Sequence, residues 1–295
     1  MRMKAGYIGI LAFWVLGSIL TWTLLFNLNP AGPGLGVSLS AERLFWSLVT
    51  ALAFQLPAVL WWGKQQFDDQ RWRAEFIGVG YEEGKKYPFL TIKRVVLWGL
   101  ATALFIAIGS IPVTFFDIGG LVIAFISILW GPLDVAVISI VTWGIRGPFS
   151  YGMTLLHALS EGMGDVIAWG WASYIVHRFL RPWWGVGGQV KKRVAGLVVY
   201  MLAWYAGYNM WNMSMFRFRH PDPAMLAELV AAYAVWYPTC AVSAALGFIF
   251  AMATAKYVWS KKTPVTPHSI YDYVGFALGV LTLVQNVAVL AMALM

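Results

Sequence analysis

Apolar residues fill long stretches of the chain, and polar residues fall in the gaps between them. Apolar runs cover about residues 6–28, 42–63, 94–115, 152–178, 193–214, 226–255 and 270–294. A membrane-crossing helix needs roughly 20 such residues, so each run predicts one crossing. A further apolar stretch, about 118–145, is interrupted by Gly131-Pro132. It predicts either one kinked helix or two short helices meeting at a tight turn. The one sizeable polar stretch, 64–93, combines Asp68, Asp69, Glu75, Glu82 and Glu83 with basic residues and with Trp72, Phe76 and Tyr81. This mixture predicts an amphipathic linker at the membrane surface.

Charge placement decides how the interrupted stretch is read. Two crossings there make nine in total, with the N-terminus inside and the C-terminus outside. On that path 17 of the 21 Lys and Arg residues fall inside, and only Arg43, Arg146, Arg217 and Arg219 fall outside. A single kinked crossing would carry the basic clusters at 178–193 and 256–262 outside, against the tendency of Lys and Arg to stay in the cytoplasm. The expectation is an all-α polytopic protein of the plasma membrane with nine transmembrane helices and a cytoplasmic N-terminus. The first apolar run is longer than a signal-peptide core and has no small-x-small cleavage site before Asn27, which predicts a retained helix.

Composition agrees. Hydrophobic residues make up 60% of the chain and charged residues 12%, where soluble domains carry about 25% charge. A water-soluble protein is excluded. The net charge of +8 then reports cytoplasmic Lys and Arg, not a nucleic-acid partner. A single cysteine, Cys240, excludes a disulfide framework. The chain has no GxxxxGK[ST] loop, no HExxH, no GxSxG and no paired-cysteine motif. ATP-driven work would therefore need other subunits, and the motifs predict no cofactor, no metal and no catalytic machinery.

Three local patterns lie within residues 94–258. Gly119-Gly120-Leu121 leads to Leu129-Trp130-Gly131-Pro132-Leu133. Arg146-Gly147-Pro148-Phe149-Ser150-Tyr151-Gly152-Met153-Thr154-Leu155 enters a helix that continues His157-Ala158-Leu159. Gly99, Ala103 and Ala107 recur every fourth residue and leave one helix face flat, which allows close helix approach in lipid. Together these resemble the substrate-binding S-components of energy-coupling factor (ECF) vitamin transporters.

The resemblance implies a six-helix substrate-binding core at 94–258. The two transmembrane helices in 1–63, the cytoplasmic linker 64–93 and the C-terminal transmembrane helix in 259–295 are read from the apolar runs and depart from the family pattern. It also implies a small water-soluble, vitamin-like substrate, a transmembrane coupling subunit that Gly99, Ala103 and Ala107 would contact, and separate ATPase subunits. Asp134 stands where the family pattern suggests a small residue.

The candidate pocket follows from ionisable groups within apolar sequence, which are costly in a bilayer. His157, Glu161 and Asp165 recur every fourth residue and share one helix face, descending on the predicted topology from the outer surface. Asp117, Arg146 and Tyr151 come from outer loops and their edges. Tyr208, Asn209 and Asn212 close the 193–214 run, and Trp236 and Tyr237 open the 226–255 run. Aromatic walls with a few polar contacts suit a flat heterocycle. His177, His220 and His268 read as surface residues.

Two alternatives stand beside this reading. One is an integral-membrane enzyme using His157, Glu161 and Asp165 in proton transfer. The other is an accessory subunit of a larger membrane complex.

Overall fold

The structure is a computed structural model that describes residues 3–27, 49, 51–109, 118–184, 190–219, 223–258 and 267–294. All regular elements among these residues are helical. They are α1 (Ala5–Asn27), α2 (Leu56–Asp68, entered through a π-helical turn at Ala51–Gln55), α3 (Gln70–Ile77), α4 (Ile92–Gly109), α5 (Ile118–Leu129) and α6 (Pro132–Tyr151). Then follow α7 (Leu155–Ile175), which runs through a second π-helical turn (Val176–Leu180) into the short α8 (Arg181–Trp184), and α9 (Val190–Arg219), α10 (Pro223–Val258) and α11 (Ile270–Leu294).

Among the described residues, three helices are long and apolar enough to cross a membrane, over Ala5–Thr23, Ile92–Gly109 and Ile270–Val289. The apolar parts of Gly119–Leu129 and Cys240–Ala255 are shorter. Helix α7 differs for a physical reason. It lies at the centre, packed against α2, α5, α6 and α9, and every residue from Gly162 to Ile175 is buried. A helix enclosed by protein can carry polar groups that a lipid-facing one cannot.

One core joins segments that are far apart in sequence. Trp61, Trp62, Ile123, Ile138, Ile167, Tyr174, Trp204 and Leu278 all belong to the same buried cluster. Helices α1, α2 and α11 are tied together by polar contacts at several depths. Trp61 Nε1 donates to the Tyr271 carbonyl at 2.9 Å and Trp62 Nε1 to that of Gly275 at 3.0 Å. Further along, Trp14 Nε1 donates to Thr282 Oγ1 at 3.0 Å and Gln55 Nε2 to Asn286 Oδ1 at 2.8 Å.

The interrupted stretch is two helices, α5 and α6, and Gly131 is the break. Its φ of 123° is closed to most side chains. A Cβ there would also run into the Trp72 ring and come within 2.7 Å of Gln66 Nε2. Gln66 holds the junction, donating to the Trp130 carbonyl at 3.0 Å and accepting from the Leu133 amide at 2.7 Å.

The 64–93 segment differs from the surface linker that its composition predicts. Its first residues complete α2, and α3 with the stretch before α4 folds against the bundle, burying Trp72, Ala74, Glu75, Phe76, Tyr87 and Phe89, while residues 78–80 and 82–86 stay exposed. Asp69 caps α3 by accepting from the Arg71 and Trp72 amides at 2.9 and 3.2 Å. His177 is also buried, not at the surface, because its ring lies 4.4 Å from that of Trp72.

Candidate functional site

The turn between α6 and α7 brings the predicted acidic column beside an aromatic and cationic group. Pro148 sits in the last turns of α6, and Gly152 ends it in the left-handed conformation at φ 62°. Thr154 Oγ1 then caps α7 by accepting from the His157 amide at 3.2 Å. The reversal is short, so the end of α6 lies against the start of α7. Gly162 lets them meet: a Cβ there would stand 3.0 Å from Trp143 Cβ.

On α7, His157 Nε2 lies 3.5 Å from Glu161 Oε1, and both side chains are largely but not wholly shielded. One turn deeper, buried Asp165 accepts a hydrogen bond from Trp143 Nε1 of α6. The Trp143 ring stacks beside Tyr151 with centroids 6.2 Å apart. Arg146 stands 5.1 Å from the Tyr151 ring centroid and donates to the Gly109 carbonyl at the end of α4. Arg146 is buried and Tyr151 half exposed, so the cluster is closed at its base and open at its rim.

Of the predicted site residues, Arg146, Tyr151, His157, Glu161 and Asp165 fall on this one α6–α7 face. Asp117 lies outside the described residues, as do the side chains of Tyr208, Asn209, Asn212, Trp236 and Tyr237. Gly99, Ala103 and Ala107 lie on the exposed face of α4, with open space beside Gly99. Among the described residues, no group of three or more His, Cys, Asp or Glu side chains is placed to hold a metal ion.

Trp143 escapes the sequence reading because a tryptophan in a membrane helix is ordinarily an interfacial anchor. The available signal was its spacing, one turn before Arg146 and on the face that the α6–α7 turn must close.

A second polar cluster occupies the opposite end of the same helices. Buried Arg94 at the start of α4 lies 3.1 Å from Asp134 at the start of α6, and Trp98 Nε1 donates to the same carboxylate at 2.7 Å. The Arg94 guanidinium is sandwiched between the Phe76 and Phe89 rings, 3.8 and 3.9 Å from their centroids. Arg178 reaches Asp69 at 3.0 Å and Asp272 at 2.6 Å, and Arg181 pairs with Glu75. Arg94 lies in the first turn of α4 and Gly109 ends it, so the two clusters stand roughly 22 Å apart along it. This end holds shape, since each buried charge meets an opposite charge. The α6–α7 end keeps polar groups at an open rim.

No family model matches the chain, and no curated protein or solved structure does so.

Proposed function

We propose that the chain is a membrane-embedded substrate-capture subunit for a small water-soluble micronutrient of vitamin type. The single observation that carries this reading is the bond from Trp143 to Asp165. It joins an aromatic wall (Trp143, Tyr151) and a cation (Arg146) to the His157–Glu161–Asp165 column. That combination offers π-faces for a flat ring and charged groups of both signs for its edge.

In this reading the chain crosses the plasma membrane nine times with its N-terminus in the cytoplasm, and the α6–α7 rim opens outward. Residues 94–258 form the S-component-like core, with Asp117, Tyr208, Asn209, Asn212, Trp236 and Tyr237 completing the pocket. The exposed Gly99–Ala103–Ala107 face meets a coupling subunit, and separate ATPases supply the energy. The chain performs no chemistry of its own. Transport follows from different contacts made with substrate in two states of the assembly.

The test is a thermal-shift screen of the detergent-purified chain against a panel of water-soluble vitamins. One member at 100-fold its Kd raises the unfolding midpoint by about 5 °C. Glu161→Gln removes the shift while leaving the ligand-free midpoint in place. A panel without any stabilising member, with Asp165→Asn matching wild type, overturns the proposal.

A further inference from the structure

Beside the charged cluster at the linker end lies a cleft of about 300 Å³ that the substrate-capture reading does not use. It is bounded by the starts of α1 and α11 and by the α2–α3 junction. The Lys4 backbone N–H donates to Tyr271 Oη at 3.2 Å, which brings the two helix starts together. The Tyr7 and Tyr271 rings stand 4.6 Å apart.

The cleft has an acidic side and a basic rim. Asp68 accepts from Tyr7 Oη at 3.3 Å and pairs with Lys64 at 3.1 Å, yet a quarter of its side chain stays exposed, at 25%. Lys64 Nζ also stands 5.0 Å from the Tyr7 ring centroid, so the Tyr7 face already accommodates an ammonium. At the rim, the Arg71 guanidinium lies 5.1 Å from the Tyr81 ring centroid. Lys4 approaches Asp68 only at 3.9 Å and is 69% exposed. The lining also holds Asp69 and Arg178, which pair with each other at 3.0 Å, so the groups left to meet a ligand are Asp68 among the tyrosine faces and Lys4 and Arg71 at the mouth.

Its depth identifies the environment. Two apolar helices long enough to cross a membrane begin at this cleft, at Ala5 and Ile270. A cavity at the first residues of such helices sits at the level of lipid headgroups, just outside the hydrocarbon. Ile8 and Ile270 are exposed beside it, at 54% and 51%, and offer apolar surface to acyl chains.

We infer that this cleft binds the headgroup of a zwitterionic aminophospholipid. The primary ammonium donates to Asp68 among Tyr7 and Tyr271, and the phosphate meets Arg71 and Lys4. A quaternary ammonium has no N–H to donate to Asp68. An anionic glycerol headgroup has no cation to place there and brings its charge toward a carboxylate. The inference stands independently of what the α6–α7 site binds.

The test uses the full chain in detergent with three short-chain lipids at equal concentration, dihexanoyl phosphatidylethanolamine, phosphatidylcholine and phosphatidylglycerol, and with free O-phosphoethanolamine. The ethanolamine lipid raises the unfolding midpoint by about 5 °C when present at 100-fold its Kd. The other two lipids and the free headgroup raise it less. Asp68→Asn removes the preference for ethanolamine over choline, and Arg71→Met at the rim weakens binding of all three lipids. Equal stabilisation by the three lipids, or a preference for phosphatidylglycerol, overturns the inference. Stabilisation by free O-phosphoethanolamine equal to that by the lipid also overturns it, and points to a soluble ligand. Should Asp68→Asn fold poorly, unchanged lipid affinity in Arg71→Met is contradictory on its own.

Discussion

Arg94 Nε and Asp134 Oδ1 lie 3.1 Å apart with side chains 1% and 0% exposed, one at the start of α4 and the other at the start of α6. Two helices that begin at the same level are thus locked by a charge pair sealed from solvent. Gln66 Nε2 adds a bond from α2 to the same carboxylate at 2.6 Å, so Asp134 gathers three helices. Breaking such a pair from one side leaves an uncompensated buried charge. Asp134→Ala should therefore cost about 3–5 kcal/mol in stability. The double variant Arg94→Met/Asp134→Leu should cost clearly less than the sum of the two single changes. A double-mutant cycle from denaturant unfolding in detergent measures this coupling.

Gly131 predicts a second sensitivity. Its positive φ and the crowding by Trp72 and Gln66 leave no room for a methyl group. Gly131→Ala should lower the unfolding midpoint by several degrees, about as much as losing 1–3 kcal/mol. The same change at exposed Gly84, also at positive φ but with nothing within 4 Å of its Cβ position, should cost less. Midpoints for the two alanine variants, measured side by side, separate crowding from backbone strain.

The linker helix α3 is held by Arg181–Glu75, by Arg178–Asp69 and by Trp72, whose ring lies against His177 and whose Nε1 donates to the Trp130 carbonyl at 3.0 Å. Glu75→Gln removes one charge and leaves Arg181 buried. Limited proteolysis should then cut within residues 70–91 several-fold faster than in wild type, because local opening sets access to the backbone. Lys85→Gln, which alters an exposed pair on the same segment, should leave the rate unchanged.

These contacts show where a one-dimensional reading of the chain succeeds. The helical segments and the break at Gly131-Pro132 are visible because apolar length and a Gly-Pro step act locally. The His157–Glu161 pair is visible because residues four apart share a helix face. The partners of Asp134, Asp165 and Arg178 come from other helices, and spacing along the chain does not encode them. Counting Lys and Arg along the chain likewise does not reveal that Arg94, Arg178 and Arg181 are buried, because the acids that pair with them come from distant segments. Trp72 and Trp143 use their indole N–H groups to tie elements together, which spacing along the chain does not show either.

Trp143→Phe tests the positioning role of the indole. The ring remains, while the donor to Asp165 is lost. A hydrogen bond to a charged group contributes about 1.5–3 kcal/mol, so ligand affinity should fall by roughly tenfold to a hundredfold. The same bond is present without ligand, so the ligand-free midpoint should also fall by several degrees, and titrated thermal shifts taken from that lowered midpoint give the affinity.

We propose that the α6–α7 column holds a small polar solute. Native mass spectrometry of the freshly purified chain tests it most directly, by comparing wild type with Glu161→Gln and Trp143→Phe. Wild type should carry an adduct of vitamin size that dissociates intact, and both variants should lose it. An adduct retained equally by all three proteins, or no small-molecule adduct in any of them, would contradict the account.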